Sequence, residues 1–284
     1  GTPMPRTPSG DVPVHVFRLA DLGIDQDRFF HDVRPSFDRL SWDRYDQVKS
    51  QLAYLKELDG AIGAEARAIE DLGGEERLTA TAALVARVTA EHKAQVDAML
   101  PFRRRAMRKY RLERVADRQW TAIANADRTF VQPVSDYRQQ TRVFDLIEDE
   151  VSNHPDALTL LASAAETLRS FNPAANTLNA VLHQVSVIAR SGFNGSPAPE
   201  GVHQDGADCI VSALVVERSA VCGGVSKIYA GRSGPTLLEI ELQKGQGICQ
   251  ADAGTDLWHE ITAIKVDHAD VGHRMTLGVD LHLA

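Results

Sequence analysis

The sequence predicts an α+β protein in which a helical N-terminal half packs against a C-terminal β-rich core. Three observations predict it. Hydrophobic residues change from a helical to a two-residue period near Asn179. Ala, Glu, Lys and Leu concentrate between about Arg44 and Leu100. Short β-branched runs then recur toward the C-terminus at intervals of roughly ten residues, as barrels and sandwiches write them.

The N-terminal elements come first. Leu52, Leu55, Leu58 and Ile62, then Leu84, Val85, Val88 and Val96, step by three and four residues. They predict two core-packed helices separated at Gly73-Gly74. A further helix is expected over about 157–170, entered between Asn153 and Asp156 and stopped by Asn172-Pro173. The strands are expected in VLHQVSVIA, CIVSALVVE, VSKIYA, TLLEIEL, QGICQAD and RMTLGVDLHL. The organisation read from this is one domain, about 1–175 mainly helical and about 176–284 the β core.

Composition narrows the function. The chain has 284 residues, 43% hydrophobic and 25% charged, which excludes wholesale disorder. Its net charge of -8 argues against a general nucleic-acid binder. Arg103-Arg104-Arg105, with Arg108, Lys109 and Arg111, forms the one basic cluster, expected as a solvated helix face or a contact with acidic parts of the chain. Neither a membrane span nor an N-terminal signal pattern is read, so a soluble cytoplasmic protein is expected. Cys209, Cys222 and Cys249 lack metal-type spacing, and their odd number disfavours a disulfide framework.

Ten histidines and 24 aspartates give three His-x-Asp pairs: His154/Asp156, His203/Asp205 and His268/Asp270. On an extended chain, residues two apart point to the same side, so one strand end can offer two ligands. A mononuclear iron(II) oxygenase site needs two histidines and one carboxylate on one face of the metal. The missing histidine must return on a distant strand. His259, 56 residues after His203, does so after several expected strands. His154/Asp156 reads instead as a helix entry. His268/Asp270 has too little chain after it and reads as a surface turn. Downstream, Arg274 and Thr276 face one way on the last strand and can hold a carboxylate through a guanidinium fork and a hydroxyl.

These residues resemble the iron(II)/2-oxoglutarate-dependent dioxygenases. The words PEGVHQDGAD (199–208) and VVERSAVCGGVSKIY (215–229), followed by His259 and Arg274, are similar to a bacterial amino-acid hydroxylase group that includes L-isoleucine and pipecolic acid hydroxylases. PFRRRAMRKY (101–110) and the stretch Gln132…Tyr137…Arg142-Val-Phe144 look like the same group's upstream signatures. The resemblance covers about 101–284; the helical stretch around 44–100 falls outside it, and a substrate lid or a dimer contact are the roles open to it.

The resemblance implies a double-stranded β-helix (jelly-roll, cupin-like) core. It implies Fe(II) held by His203, Asp205 and His259, 2-oxoglutarate held by Arg274 and Thr276, and O2 as oxidant. An intact Asp205 favours hydroxylation over halogenation. The expected substrate is a free L-amino acid, possibly cyclic like pipecolic acid or proline, in a specialised-metabolite pathway. A zwitterion requires pocket partners of both signs. Arg142 and Arg128 are candidates for its carboxylate, Glu200 and Asp136 for its ammonium, with Gln132, Tyr137 and one of His183 and Gln184 beside them. The alternatives are a carrier-bound or peptide substrate, or a non-catalytic cupin-like binding protein.

Overall fold

On the central strands of the main sheet (Arg103–Ala116, Thr177–Arg190 and Val271–Leu283) the face turned to the helices is apolar and the other carries most of the charged residues, and this alternation organises the molecule. The structure is a computed structural model that describes residues 13–131 and 141–284. Strand β1 (Val14–Arg18) leads into α1 (Gln26–Phe37), whose first turn is capped by the Asp25 carboxylate accepting from the Arg28 amide. Helices α2 (Arg44–Leu55), α3 (Ala61–Ile69), α4 (Gly74–Val85) and α5 (Ala90–Asp97) follow. The Gly73-Gly74 break stands, at the start of α4, but each predicted helix is divided again. Gly60, at φ +77 and ψ -150, interrupts the first in a conformation open to glycine. Thr89 interrupts the second by capping α5. These helices share a satellite core of Val48, Leu52, Leu55, Ile69, Leu84 and Val96.

The chain continues as β2 (Arg103–Ala116), β3 (Gln119–Asn125), β4 (Thr129–Val131), β5 (Thr141–Val143), α6 (Asp149–Ser152) and α7 (Pro155–Phe171). Helix α7 begins at the expected place: Pro155 occupies its first turn and the His154 ring accepts from the Asp156 amide. Then come β6 (Thr177–Arg190), β7 (Cys209–Ser219), β8 (Val221–Gly223), β9 (Val225–Ala230), β10 (Thr236–Glu241), β11 (Gln246–Ala251), β12 (Leu257–Ile261), β13 (Ile264–Val266) and β14 (Val271–Leu283).

The large antiparallel sheet runs β1-β11-β7-β14-β6-β2-β3, and a smaller sheet runs β10-β9-β12. Together they form the jelly-roll core expected from the sequence. The N-terminal half is less helical than expected, because β1, β2 and β3 belong to the large sheet. The basic run is likewise a strand and not a helix face. On β2 the residues Ala106, Tyr110 and Leu112 turn to the core, while Arg103 and Arg105 turn to the other face. The same division continues on β6 and β14. Leu178, Ala180 and Leu182, with Met275, Leu277 and Leu281, join Phe29, Val33, Leu160 and Ala164 of α1 and α7 in the main core. Among the described residues, no helix is long and apolar enough to cross a membrane.

Leu277 is fully buried in that core. Leu277→Ala should cost about 2–5 kcal/mol, read as a lower urea midpoint at an unchanged slope. A loss below about 1 kcal/mol would show that this face is not packed as described.

Candidate metal centre

His203 lies on the loop between β6 and β7, and His259 lies on β12. Their backbones pair as an antiparallel bridge: the His203 amide donates to the His259 carbonyl at 2.9 Å and the reverse bond measures 3.0 Å. This pairing brings the two imidazoles together, tilted by 51° with centroids 4.3 Å apart. Asp205, two residues on, presents its carboxylate to both, with Oδ1 3.1 Å from His203 Nε2 and Oδ2 3.7 Å from His259 Nε2. One ligand atom from each residue falls within a 4.8 Å cluster. Bonds of about 2.1 Å to one ion hold adjacent ligand atoms about 3 Å apart, so only small side-chain adjustments separate this cluster from a three-ligand site.

Protonation fits that use. His203 Nδ1 lies 2.7 Å from the Gly201 carbonyl and must donate to it, which turns the Nε2 lone pair toward the cluster. Burial pushes the Asp205 carboxyl up, but the charges of His259 and His203 outweigh it and bring its pKa down to about 2. Burial likewise works against a charged His203, and Asp205 nevertheless raises that imidazole to about 9. A metal ion therefore meets an already ionised Asp205 and has to displace only the proton on His203 Nε2.

A cavity of about 130 Å³ opens beside the cluster. One wall is the polar face of the large sheet, with Arg103 and Arg105 of β2, His183 of β6 and Arg274, Thr276 and Asp280 of β14. Arg274 is only 2% exposed, and its Nε and Nη2 have no protein partner. Burial, with Arg218 nearby, lowers its pKa to about 10. Orphaned guanidinium nitrogens at a cavity end call for an anion.

The 2OG-Fe dioxygenase family profile matches residues 89–280. The chain belongs to this family. Among solved structures, a BsmA homologue from Methylobium petroleophilum PM1 superposes with a TM-score of 0.65 at 18% identity, over 95% of this chain and 88% of that one. IDO from Bacillus thuringiensis gives 0.49 at 18% identity, over 69% and 87%. The Fe(II)/α-ketoglutarate-dependent dioxygenase TqaL gives 0.48 at 13% identity, over 83% and 89%. The first likeness is one of fold. No curated protein sequence matches the chain.

A 2OG-Fe dioxygenase depends on iron(II), 2-oxoglutarate and O2, and the residues present fit that demand: two imidazoles and a carboxylate, with an unpartnered arginine in the same cavity. The other two His-x-Asp pairs do not compete. His154 caps α7, and His268 lies on an exposed turn at φ +51.

The residues proposed to meet a substrate divide. Arg142 and Glu200 line the cavity. Gln184 does not: as an even-numbered residue of β6 it faces the helices and donates to Ser36 Oγ at 2.7 Å. His183, its neighbour, takes the cavity side. Arg128 is also turned away, donating to the Phe144 carbonyl and to Asp145. Gln132, Asp136 and Tyr137 lie outside the described residues.

The sequence reading missed Arg103, Arg105 and Phe130 in the cavity wall, although the alternation within RRRAMRKY could have singled out the two arginines. A relay of contacts fixes Arg105. Asp43 lies 3.6 Å from its Nη1, and its Nη2 donates to His183 Nδ1 at 3.3 Å. An arginine only donates, so His183 carries its proton on Nε2 and gives it to Asp280 at 2.9 Å.

Asp252 was missed as well. Its buried Oδ2 accepts from the amides of Asp205, Gly206 and Ala207 at 2.9, 2.7 and 3.2 Å. Its Oδ1 lies 4.0 Å from His259 Nδ1, and neither atom has another protein partner. Asp252 thus fixes the turn that presents Asp205 and faces the rear of His259. Asp252→Ala should weaken Mn(II) or Fe(II) affinity about 10–100-fold, measured by anaerobic titration, because partners behind metal ligands set their orientation. Unchanged affinity would remove Asp252 from the site.

Proposed function

We propose that this 2OG-Fe dioxygenase hydroxylates a free L-amino acid, coupled to conversion of 2-oxoglutarate to succinate and CO2. In this reading His203, Asp205 and His259 hold the iron, and Arg274 with Thr276 holds the distal carboxylate of 2-oxoglutarate. The observation that carries the substrate is the cavity's charge: beyond the triad it presents the guanidiniums of Arg105 and Arg142 and the carboxylate of Glu200. An amino-acid zwitterion needs both signs once it leaves water.

Each group has a defined task. Iron(II) with 2-oxoglutarate and O2 supplies the oxidising power for C–H hydroxylation. Arg274 donates through its Nε and Nη2 to one carboxylate, and the Thr276 hydroxyl, two residues along the same face, adds a further donor. Arg105, steadied by Asp43 and stacked 4.1 Å above the Phe144 ring, offers a fixed cation to the substrate carboxylate. Glu200 stays ionised: burial raises its pKa, but His203 and Arg103 outweigh this and hold it below the ordinary carboxylate value. It can accept an ammonium. Val185, Val187 and Ile261 line the rest and exclude water from the carbon chain.

Charges of both signs in one cavity suit a free amino acid, such as a cyclic one, better than a peptide-linked or carrier-linked residue, in which the α-carboxylate or the α-ammonium is blocked. The test is succinate release across a panel of free amino acids, their amides and short peptides carrying them, with products analysed for one added oxygen. One or a few free amino acids should stimulate release, and their amides and peptides should not. Stimulation only by peptide-linked or carrier-linked forms would overturn the assignment.

A further inference from the structure

Arg218 belongs to the segment VVERSAVCGGVSKIY, and nothing above gives it a task. Strands β7 and β14 pair so that Arg218 stands directly opposite Arg274. Residues opposite one another on antiparallel strands share a face, and two like charges so placed destabilise the pair unless something compensates them.

Compensation from the protein is incomplete. Arg218 Nη2 donates to the Gly223 carbonyl at 2.9 Å and to Glu241 Oε1 at 3.0 Å. Arg218 Nη1, like Nε and Nη2 of Arg274, is buried without a protein partner. The Glu241 side chain is 42% exposed, against 10% for Arg218, so water screens much of its charge. Two buried guanidiniums therefore share one half-solvated carboxylate. A second carboxylate at the cavity end would close the balance.

The backbone is shaped for the same pair. Gly224 adopts φ +68, and a β-carbon there would lie 3.1 Å from Arg274 Cδ and 3.2 Å from Arg218 Nη1. The chain thus runs against both arginines at a point where glycine is favoured by space and by conformation.

We propose that Arg218 is a positioning residue of the co-substrate site, a second cation that backs Arg274 and strengthens its hold on the distal carboxylate. The inference rests on the reading of Arg274 given above. Arg218 acts through Arg274, because Arg274 lines the cavity and Arg218 does not. Its field adds to that of Arg274 where water is excluded, and its bonds to Gly223 and Glu241 keep it in place.

The test measures dissociation constants of Mn(II) and of 2-oxoglutarate on the Mn(II)-loaded full-length protein, by calorimetry without turnover. Arg218→Gln should weaken 2-oxoglutarate by about tenfold, the scale of one charge-assisted contact, while leaving Mn(II) affinity unchanged. Arg218→Lys should recover most of the loss. Glu241→Gln, at a half-exposed position, keeps the test decisive should Arg218→Gln not fold. It removes the competing carboxylate and should tighten 2-oxoglutarate.

Unchanged 2-oxoglutarate affinity in Arg218→Gln, a parallel fall in Mn(II) affinity, or weaker binding in Glu241→Gln would each overturn the proposal. Arg274→Met is measured alongside. A loss there without one in Arg218→Gln defeats only the role of Arg218. No loss in Arg274→Met defeats the placing of the co-substrate.

Discussion

The two-residue alternation of side chains across the large sheet is the constraint on which the molecule depends. Because β2, β6 and β14 are adjacent and in register, one set of alternate residues forms a continuous apolar face. Leu112, Leu182 and Leu277 exemplify it, packed under α1 and α7. The opposite set carries Arg105, His183 and Arg274 among apolar residues such as Val185 and Val187, and forms the cavity wall. A one-residue slip in any of these strands would exchange the two faces, so the apolar core also enforces the placement of every charged group in the cavity.

That placement has an electrostatic consequence. Isolated guanidiniums are costly to bury, and at one end of the cavity the protein sets a carboxylate against each of them. Asp46 meets Arg103 at 3.1 Å and Asp43 meets Arg105, both from the start of α2. At the other end Arg274 is left with nitrogens that no protein atom satisfies. The first pair of arginines is held in place by carboxylates from the protein, whereas Arg274 turns two unpartnered nitrogens to the cavity end. The carboxylates of α2 also give the helical segment a place in the account. Residues 44–88 lie outside the family match, yet the first turn of α2 steadies the cavity arginines.

Much of this was legible before the fold was known. His203, Asp205 and His259 stood out because ligand chemistry demands a same-side pair on an extended chain and a distant partner, and one His-x-Asp pair of three had room for it. Arg274 and Thr276 followed from the same two-residue logic. The strands from Val181 onward announced themselves by β-branched runs between turn residues. Strand β2 did not, because three successive arginines conceal the alternation of Ala106, Tyr110 and Leu112. The choice between His183 and Gln184 required the register of β6 against its neighbours, which no local pattern supplies. Asp252 and Arg218 were illegible for a related reason: their importance lies in what they meet 47 residues away at Asp205 and across the ladder at Arg274.

The most direct test of the central claim, that one cavity holds iron through His203, Asp205 and His259 and 2-oxoglutarate beside it, is anaerobic. Iron(II) and then 2-oxoglutarate are added to the protein without O2, and the weak visible charge-transfer absorption of their chelate is followed in the parent protein and in His203→Ala. The account predicts a band that saturates with 2-oxoglutarate in the parent protein and is lost in the variant. Iron binding without a band, or a band of full strength in His203→Ala, would contradict it.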